Sequence, residues 1–328
     1  MKTLSKIYFR ILESVLGMIE SSMREELRNY LLKIPNLELD LLIEYWSKPI
    51  PESFRVNTLK LPEEYILDRL RRKGLNFKKI PWARYGYILE SEFELSLTIE
   101  HMLGLIYLQG PISMAPVEAL DPKPGEIVLD MCAAPGSKST QILQLLQGRG
   151  VLVANDPIID RCKALSSNLQ RFGGYNVIIT TLDGRAFPKL VGEFFDKILV
   201  DAPCSSLGIV SKDWSVVKNW SIHNVTRLSR LQSQLLRAAF DSLKPGGALV
   251  YSTCTLTVEE NENVVDSLLR SRRNACVEEA RVEGLRYEKG LTEFDNIRFA
   301  DDLSKTMRIY PYHNRAEGFY IARIRKCE

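Results

Sequence analysis

From residue 122 onward, the chain alternates short apolar runs with segments whose apolar residues recur at helical spacing. The apolar runs are typical of buried strands and lie at 126–131, 151–155, 177–182, 198–200 and 248–252. The segments typical of helices lie at 137–146, 158–172, 226–243 and 258–269. Strands that alternate with helices predict an α/β fold with a doubly wound, mostly parallel sheet. Two last apolar stretches, 307–312 and 318–324, predict an antiparallel pair that completes this sheet.

The chain before residue 116 has a different order of elements. Apolar residues at helical spacing from Ile7 to Ile19, around 27–32 and at 40–46 predict three helices. A strand at 53–58, a helix at 62–74 and two short strands at 77–80 and 85–89 predict a small β-α-β-β unit. We therefore expect three parts, which are a helical segment (1–50), a small α/β unit (51–115) and a larger domain (116–328).

Composition narrows the class of protein. With 328 residues, 45% of them hydrophobic, the chain can bury a large core, and its net charge of +3 permits an anionic partner without requiring one. The N-terminal region has no apolar run of the ~18 residues that a membrane helix needs, and it shows no secretory leader. None of the six cysteines stands in C-x-x-C spacing, which argues against a zinc site. We expect a cytoplasmic monomer with free thiols, no metal and no membrane contact.

Acidic residues follow three successive strands of the predicted sheet. Asp130 opens the loop Asp130-Met-Cys-Ala-Ala-Pro-Gly-Ser-Lys138, and Asp156 and Asp183 follow the next two strands. Ligands of open α/β sheets bind outside the carboxyl ends of the strands, where an acid can accept hydrogen bonds from a ribose. The loop lacks the G-x-G-x-x-G of dinucleotide sites. This pattern favours a nucleoside cofactor without phosphates, S-adenosylmethionine; the alternative is that the acids only cap turns or helices.

Two cysteines also follow strands. Cys204 comes shortly after Asp201, and Cys254 follows the strand at 248–252. A thiolate is a strong nucleophile, and its addition to carbon 6 of cytosine enables carbon 5 to attack a methyl group. The chemistry also needs a group that removes the carbon-5 proton and releases the thiol, so two thiols and one acid suit it. Position alone does not say which thiol attacks. We expect Cys162, Cys276 and Cys327 to be small buried side chains without chemical partners.

Four stretches together resemble the RNA cytosine-C5 methyltransferase family (the Sun group, RsmB-like). They are the loop 130–138, Asp201-Ala-Pro-Cys-Ser205, Ser252-Thr-Cys-Thr255 and Phe54-Arg-Val-Asn57, and the similarity covers about residues 50–328. The resemblance implies a Rossmann-like methyltransferase domain that transfers methyl from S-adenosylmethionine to carbon 5 of cytosine in structured RNA, tRNA or rRNA. It implies that Cys254 attacks carbon 6, Cys204 assists release, Asp201 bonds the polar edge of the cytosine, and Lys138 lies near the methyl transfer. The implied cofactor residues are Cys132, Ala133, Ala134, Pro135, Gly136, Ser137, Lys138, Asp156, Arg161, Asp183 and Asp201.

The resemblance also implies that the small unit faces RNA. Arg55 and Asn57 belong to its matching stretch, and Arg72 and Lys73 belong to a cluster of cations between residues 69 and 79. Aromatic residues that could stack on bases are interleaved with these cations, namely Phe54, Trp82, Tyr85 and Tyr87. The alternative for the cations at 69–73 is a solvated helix face.

Two other functions are compatible with part of the pattern. A small-molecule methyltransferase would share the cofactor loop but leave the thiol pair unexplained. A non-catalytic RNA-binding protein would be expected to lose one thiol, and this chain has both. The loop at 208–225 lacks the Arg-rich, Pro-containing stretch of many relatives, so the resemblance does not describe how this loop contacts RNA.

Overall fold

The computed structural model describes residues 23–328, and the helix predicted between Ile7 and Ile19 lies outside them. Two helices begin the described part, α1 (Glu25–Leu32) and α2 (Leu39–Trp46), and they confirm the helices predicted at 27–32 and 40–46. Their buried side chains, among them Leu27 and Trp46, belong to the same apolar cluster as strand residues of the large sheet. The helical segment therefore packs directly on the larger domain.

A small antiparallel sheet follows these helices. Its elements are β1 (Ser53–Val56), α3 (Glu63–Arg72), β2 (Phe77–Lys79), β3 (Gly86–Leu89), α4 (Ile99–Met102) and β4 (Ile106–Leu108), with strand order β2-β3-β1-β4. The predicted β-α-β-β order is confirmed, and β4 is an additional strand that pairs with β1. Strand β4 has only three residues, which is too short for a periodic signal before the Gly110-Pro111 turn. The sheet and α3 enclose an apolar cluster of their own.

Within residues 23–328, the large sheet has nine strands, five of which form its parallel part. These five are β5 (Ile127–Asp130), β6 (Val151–Asn155), β7 (Val177–Thr180), β8 (Phe195–Asp201) and β9 (Leu243–Thr253). They lie in the order β7-β6-β5-β8-β9, so the chain winds outward from β5 in one direction and then returns to the other side of it. A crevice opens where the direction of winding changes, which is the usual ligand site of such sheets. Strands β5 and β8 therefore locate the site.

The antiparallel part of the large sheet follows β9. It consists of β10 (Ala275–Glu278), β11 (Glu288–Lys289), β14 (Met307–Ile309) and β15 (Phe319–Lys326), and a separate hairpin pairs β12 (Glu293–Phe294) with β13 (Ile297–Arg298). The predicted antiparallel pair is confirmed, because β14 pairs with β15 and β15 pairs with β9. The α/β fold with a mostly parallel sheet and an antiparallel last strand is as predicted.

Helices cover both faces of the large sheet. They are α5 (Ala115–Leu120), α6 (Ser137–Leu146), α7 (Ile159–Phe172), α8 (Phe187–Val191), α9 (Ser215–Asn219), α10 (Ile222–Asp241), α11 (Glu262–Ser271) and α12 (Pro311–Asn314). Helix α10 begins four residues before the predicted boundary at 226, where the Ser221 hydroxyl accepts the N–H of Asn224. Helix α11 begins at Glu262 rather than at Val258, because the backbone between them forms a turn that lies beneath the site. No helix of residues 23–328 is both long and apolar enough to span a bilayer.

Arg55 and Asn57, both predicted to contact RNA, lie at the junction of the two sheets. Arg55 is 1% exposed, and its guanidinium donates to the side chains of Gln109 and Thr140 at 3.1 and 2.6 Å and to that of Gln144. Asn57 is fully buried and donates to the carbonyl oxygens of Gly104 and Phe172. Neither side chain is accessible to RNA, so the prediction is corrected. They hold the small unit against α6 and α7.

The aromatic residues proposed for base stacking need the same correction. Phe54 and Tyr87 stack on each other with ring centroids 5.6 Å apart, inside the core of the small unit, and both are buried. Trp82 is 8% exposed and donates its indole N–H to the carbonyl of Pro111. Only Tyr85 of the four is partly exposed. Burial of the apolar surface of these rings stabilises the fold. Their position among cations in the sequence therefore does not make them accessible to bases.

Two cysteines predicted to be without partners form a disulfide. Cys276 and Cys327 are bonded, with 6.2 Å between their Cα atoms. Strand β10 runs antiparallel beside β15 with Cys276 opposite Arg325, and the N–H of Cys327 donates to the carbonyl of Asn274, so the two cysteines are diagonal neighbours. The two cysteines are 51 residues apart in the chain, so the sequence holds no local sign of their proximity. The expectation that every thiol is free is thus wrong for this pair.

Candidate active site

A cavity of about 670 Å³ lies at the carboxyl ends of the parallel strands. Of the predicted cofactor residues, its wall contains Cys132, Ala134, Asp156, Arg161, Asp183 and Asp201. Ala133, Pro135, Gly136, Ser137 and Lys138 lie in the adjoining loop and first turn of α6, outside that wall. Cys204 and Cys254 line the same cavity. A groove of about 940 Å³ between the small unit and β10 is larger but contains neither a thiol nor a strand-end acid of the parallel sheet, so we place the site in the smaller cavity.

The loop after β5 forms one side of the cavity. Gly136 has a φ of +111°, a conformation that side chains disfavour, and it leads directly into α6. The buried carboxylate of Asp130 accepts the Ser139 hydroxyl at 2.6 Å and so ties the end of β5 to that helix. Burial raises the pKa of Asp130 to about 7. The small residues of this loop therefore leave room for a ligand beside a firmly held helix start.

Asp156 offers an unused hydrogen-bond acceptor to the cavity. It is fully buried, and its Oδ1 accepts the N–H of Ile158 at 3.1 Å. Its Oδ2 lies 3.1 Å from Nη1 of Arg161 in an ion pair, but no donor is aligned for a hydrogen bond to this oxygen. A buried acceptor without a hydrogen bond is costly unless a ligand supplies the donor. A ribose hydroxyl is such a donor.

Asp183, unlike Asp156, has both carboxylate oxygens hydrogen-bonded within the chain. Its side chain is half exposed at the cavity rim, and both of its oxygens accept hydrogen bonds from the guanidinium of Arg185. These bonds lower the pKa of Asp183. The structure thus brings Asp183 to the cavity, as predicted, but its carboxylate already has a partner within the chain.

Asp201 and Lys138 form a charged pair beside the thiols. Nζ of Lys138 donates to Oδ2 of Asp201 at 2.7 Å and to the Ser113 hydroxyl at 3.1 Å, while Oδ1 of Asp201 accepts the Ser252 hydroxyl at 2.7 Å. Burial acts to lower the pKa of Lys138, but the charge and hydrogen bond of Asp201, together with the charges of Cys254 and Asp130, more than offset it, and the pKa is raised overall. Lys138 is therefore a cation at neutral pH, and it holds Asp201 in one orientation.

The two strand-end thiols meet. Strands β8 and β9 are parallel neighbours with Asp201 opposite Ser252, so the loops that follow them lie side by side. The Sγ atoms of Cys204 and Cys254 are 3.2 Å apart. A hydrogen bond from the Cys204 thiol lowers the pKa of Cys254, and the Ser206 hydroxyl and the Lys138 charge act in the same direction. The same hydrogen bond, burial and the charge of Glu260 raise the pKa of Cys204. Cys254 is therefore the thiol that ionises first.

The sequence pattern assigned no role to several residues of the site. Ser113 precedes the large domain, Ser252 is inside a strand, and Glu260 falls within the helix predicted at 258–269. Each reaches the site through contacts between distant segments. Within residues 23–328, no three His, Cys, Asp or Glu side chains are grouped as a metal site.

The loop after Cys204 is anchored to the last strand of the sheet. The N–H of Gly208 donates to the carbonyl of Cys254, and the N–H of Gly318 donates to the carbonyl of Gly208, both at 2.8 Å. A Cβ atom on Gly208 would lie 2.0 Å from the Gly318 oxygen, so this close approach requires glycine. Lys212 forms an ion pair of 2.6 Å with the buried carboxylate of Glu317. The loop that departs from the resembled family is thus fixed beside the thiols.

The remaining residues predicted to contact RNA are on α3 and at its end. The side chain of Arg72 is 79% exposed and pairs with Asp68. Lys73 is partly exposed, and its ammonium forms an ion pair of 2.5 Å with the fully buried carboxylate of Glu100. Arg72 is accessible to a phosphate, whereas Lys73 is partly engaged within the unit.

Known proteins resemble this chain along most of its length. Residues 117–325 match a family model described as 16S rRNA methyltransferase RsmB/F, and residues 22–111 match that of the N-terminal domain of 16S rRNA methyltransferase RsmF. The chain is 42% identical over 294 residues to the tRNA (cytosine(49)-C(5))-methyltransferase of Pyrococcus abyssi, which covers 88% of this chain and 93% of that protein. It is 41% identical to the ribosomal RNA small subunit methyltransferase F of Vibrio atlanticus, over 89% of this chain and 61% of that protein.

Solved structures agree with this relationship. The crystal structure of a methyltransferase homolog protein from Pyrococcus horikoshii superimposes with a TM-score of 0.85 at 36% sequence identity. The match covers 95% of this chain and 99% of the other.

Proposed function

Because the chain belongs to the RsmB/F family of RNA methyltransferases, we propose that it transfers a methyl group from S-adenosylmethionine to carbon 5 of cytosine in structured RNA. The observation that carries this proposal is the pair of thiols 3.2 Å apart at the wall of the cavity. A methyltransferase that acts on an activated oxygen or nitrogen has no need for two thiols. Cytosine carbon 5 is a poor nucleophile and does need one to activate it.

The residues of the cavity fit S-adenosylmethionine. The Oδ2 atom of Asp156 is buried without a hydrogen bond and suits a ribose hydroxyl. Cys132 and Ala134, the two residues of the 132–138 loop in the wall, would contact the methionine part, with Arg161, Asp183 and Asp201 completing the wall. When bound, this cofactor supplies an electrophilic methyl group on a sulfonium sulfur.

Cys254 would begin the reaction. The hydrogen bond from Cys204 lowers the pKa of Cys254 below the usual thiol value, which increases the fraction present as the nucleophilic thiolate. The sulfur forms a bond to carbon 6 of the cytosine, and the electrons of the 5,6 double bond move toward carbon 5, which becomes the nucleophile. Asp201 would accept a hydrogen bond from the cytosine amino group, because its bonds to Lys138 and Ser252 leave lone pairs free.

Cys204 would complete the reaction. Once the sulfur of Cys254 is bonded to carbon, its negative charge is gone and it no longer raises the pKa of Cys204 through the shared hydrogen bond. After carbon 5 has bonded the methyl group and carries both methyl and hydrogen, Cys204, having lost its own proton to solvent, can accept the proton of carbon 5. The electrons of that C–H bond restore the double bond, and Cys254 leaves as a thiolate. This order of events assigns attack to Cys254 and release to Cys204.

Two variants with a cytosine-bearing RNA and labelled S-adenosylmethionine test this assignment. Cys254→Ala should abolish methylation and form no covalent complex. Cys204→Ala should still attack but fail to release, and a protein–RNA complex should survive denaturing electrophoresis. Cys162→Ala removes a buried thiol outside the cavity wall and serves as the matched control that keeps normal turnover. A trapped complex with Cys254→Ala and none with Cys204→Ala would mean that the roles are reversed.

The RNA itself can be identified separately. Labelled methyl groups should enter total RNA and not small metabolites, and bisulfite sequencing of RNA from cells with and without the gene should show which tRNA or rRNA cytosine is modified. Label in a small molecule alone would contradict the proposed substrate.

A further inference from the structure

A buried glutamate lies beneath both cysteine loops. Glu260 is fully buried in the turn between Cys254 and α11. Its carboxylate accepts the N–H of Ser205 at 2.9 Å, the Thr257 hydroxyl at 2.7 Å and the Gln232 amide at 3.0 Å, as well as the Ser205 hydroxyl. Four donors from three segments of the chain therefore converge on one side chain.

These donors belong to the segments that carry the thiols. Ser205 directly follows Cys204, and its hydroxyl also lies 2.7 Å from that of Thr255, which directly follows Cys254. Gln232 of α10 donates in addition to the carbonyl of Pro203, just before Cys204, at 2.8 Å. The carboxylate thus connects the two loops and the helix behind them.

We propose that Glu260 is a positioning residue for the two-thiol reaction, holding the Cys204 turn against the Cys254 loop while placing a negative charge behind Cys204. The role of Glu260 in the reaction rests on the proposed function, but the ionisation of Cys204 can be measured without substrate. Glu260 does not line the cavity and so touches neither substrate nor cofactor. It acts only through the Cys204 turn.

The negative charge of Glu260 changes the pKa of Cys204 in one direction, which a neutral side chain of the same size would not do. The titratable groups that face Cys204 are Cys254 and Glu260, with Asp201 and Lys138 on the far side of Cys254 and the Tyr251 hydroxyl nearby. A negative charge disfavours a second anion next to it, so Glu260 raises the pKa of Cys204, whereas Lys138 lowers that of Cys254. Burial raises the pKa of Glu260, but the donors from Ser205, Thr257 and Gln232 favour its charged form. Its charge adds to the larger effects of the hydrogen bond with Cys254 and of burial, which together keep the proton on Cys204 until Cys254 has attacked.

Glu260→Gln tests this inference in the full-length protein without substrate. The variant keeps the size of the side chain and removes its charge, so Cys204 should ionise at lower pH. The rate of alkylation of Cys204 by iodoacetamide, followed against pH by mass spectrometry of its peptide, should have a midpoint lower by about one pH unit, the usual spread for groups in proteins. Turnover of RNA should fall in kcat, with KM and cofactor affinity nearly unchanged.

A matched control variant distinguishes the loss of charge beside Cys204 from a general loss of stability. Asp266 is a buried carboxylate on α11 that accepts the N–H of Ala300 at 2.8 Å and pairs with Arg270. Asp266→Asn should lower the melting temperature as a loss of buried hydrogen bonds does, yet leave the Cys204 midpoint in place. If Glu260→Gln does not fold, Thr257→Val removes one hydroxyl that the carboxylate accepts but leaves its charge, so it should lower kcat of RNA turnover without lowering the Cys204 midpoint, and a lowered midpoint in this variant would contradict the charge effect.

The outcomes are distinct. An unchanged Cys204 midpoint in the folded Glu260→Gln protein, or equal shifts in Glu260→Gln and Asp266→Asn, would overturn the positioning role. Failure of the RNA assay in the unmodified protein would overturn the proposed function and leave the alkylation result standing.

Discussion

At the scale of single residues, the strand-end acids differ in how much of their hydrogen-bonding capacity the protein itself uses. Asp156 is buried with an oxygen that accepts no hydrogen bond and is only ion-paired with Arg161, whereas Asp183 is half exposed and hydrogen-bonded by Arg185. An acceptor that is already satisfied gains less from a ligand than one that is not, because the ligand must replace an existing bond. The two acids are therefore expected to contribute unequally to cofactor binding.

Asp156→Ala should weaken the binding of S-adenosylmethionine by about 1.5–3 kcal/mol, the usual value of a hydrogen bond to a charged group. Asp183→Ala should weaken it by less, because Arg185 competes for its carboxylate. Isothermal titration calorimetry measures both. Asp160→Ala, in the first turn of α7 with an 85% exposed side chain, should bind normally. Unchanged affinity in both the Asp156 and the Asp183 variants would contradict the assignment of the cofactor site.

At the scale of elements, one strand joins two sheets through polar groups. Arg55 on β1 donates to Gln144 and Thr140, both buried on α6, the helix that follows the cofactor loop. The guanidinium also lies over the ring of Phe172 at 4.9 Å, at the end of α7. A buried polar network of this kind is costly to break, because the removal of one partner leaves another group without a hydrogen bond.

Arg55→Met should lower the free energy of unfolding by about 3 kcal/mol, because it leaves the Gln109 and Gln144 oxygens buried without donors. Urea unfolding followed by tryptophan fluorescence measures the change. Arg72→Ala removes the same charge from an exposed position on α3 and should change stability by less than about 0.5 kcal/mol. Similar losses of stability for both variants would contradict the structural role of Arg55.

At the scale of the whole molecule, the surface available to RNA is narrower than the cluster of cations in the sequence indicates. Two of the cations, Arg69 and Lys73, form ion pairs with the buried Glu100. The exposed cations without this pairing are Arg71, Arg72 and Lys78. A truncation that removes residues 1–115 would not isolate RNA binding, because α1 and α2 share the main apolar cluster and Arg55 is buried against α6. Changes of single exposed charges are the better test.

Arg72→Ala and Lys78→Ala should each weaken binding to structured RNA and lower the slope of log affinity against log salt by about 0.7–0.9 for every phosphate that the variant no longer neutralises. Lys244→Ala removes a charge at the amino end of β9, the end of the parallel strands away from the cavity, and should leave the slope unchanged. Filter binding at several salt concentrations measures the slopes. Equal slopes for all three variants and the unmodified protein would show that RNA does not bind this surface.

The sequence by itself determined the order of strands and helices, the strand-end acids and the two thiols. These depend on apolar periodicity and on short segments of the chain, as with α6, whose limits match the predicted 137–146, and with Cys254 just after β9. Only the tertiary structure decided that Arg55 and Asn57 are buried and that Cys276 bonds Cys327. It also decided that both oxygens of Asp183 accept hydrogen bonds while one oxygen of Asp156 accepts none, and that Glu260 connects the two cysteine loops. Each of these depends on which distant segments pack together, and burial and hydrogen-bond partners are properties of that packing rather than of any local pattern.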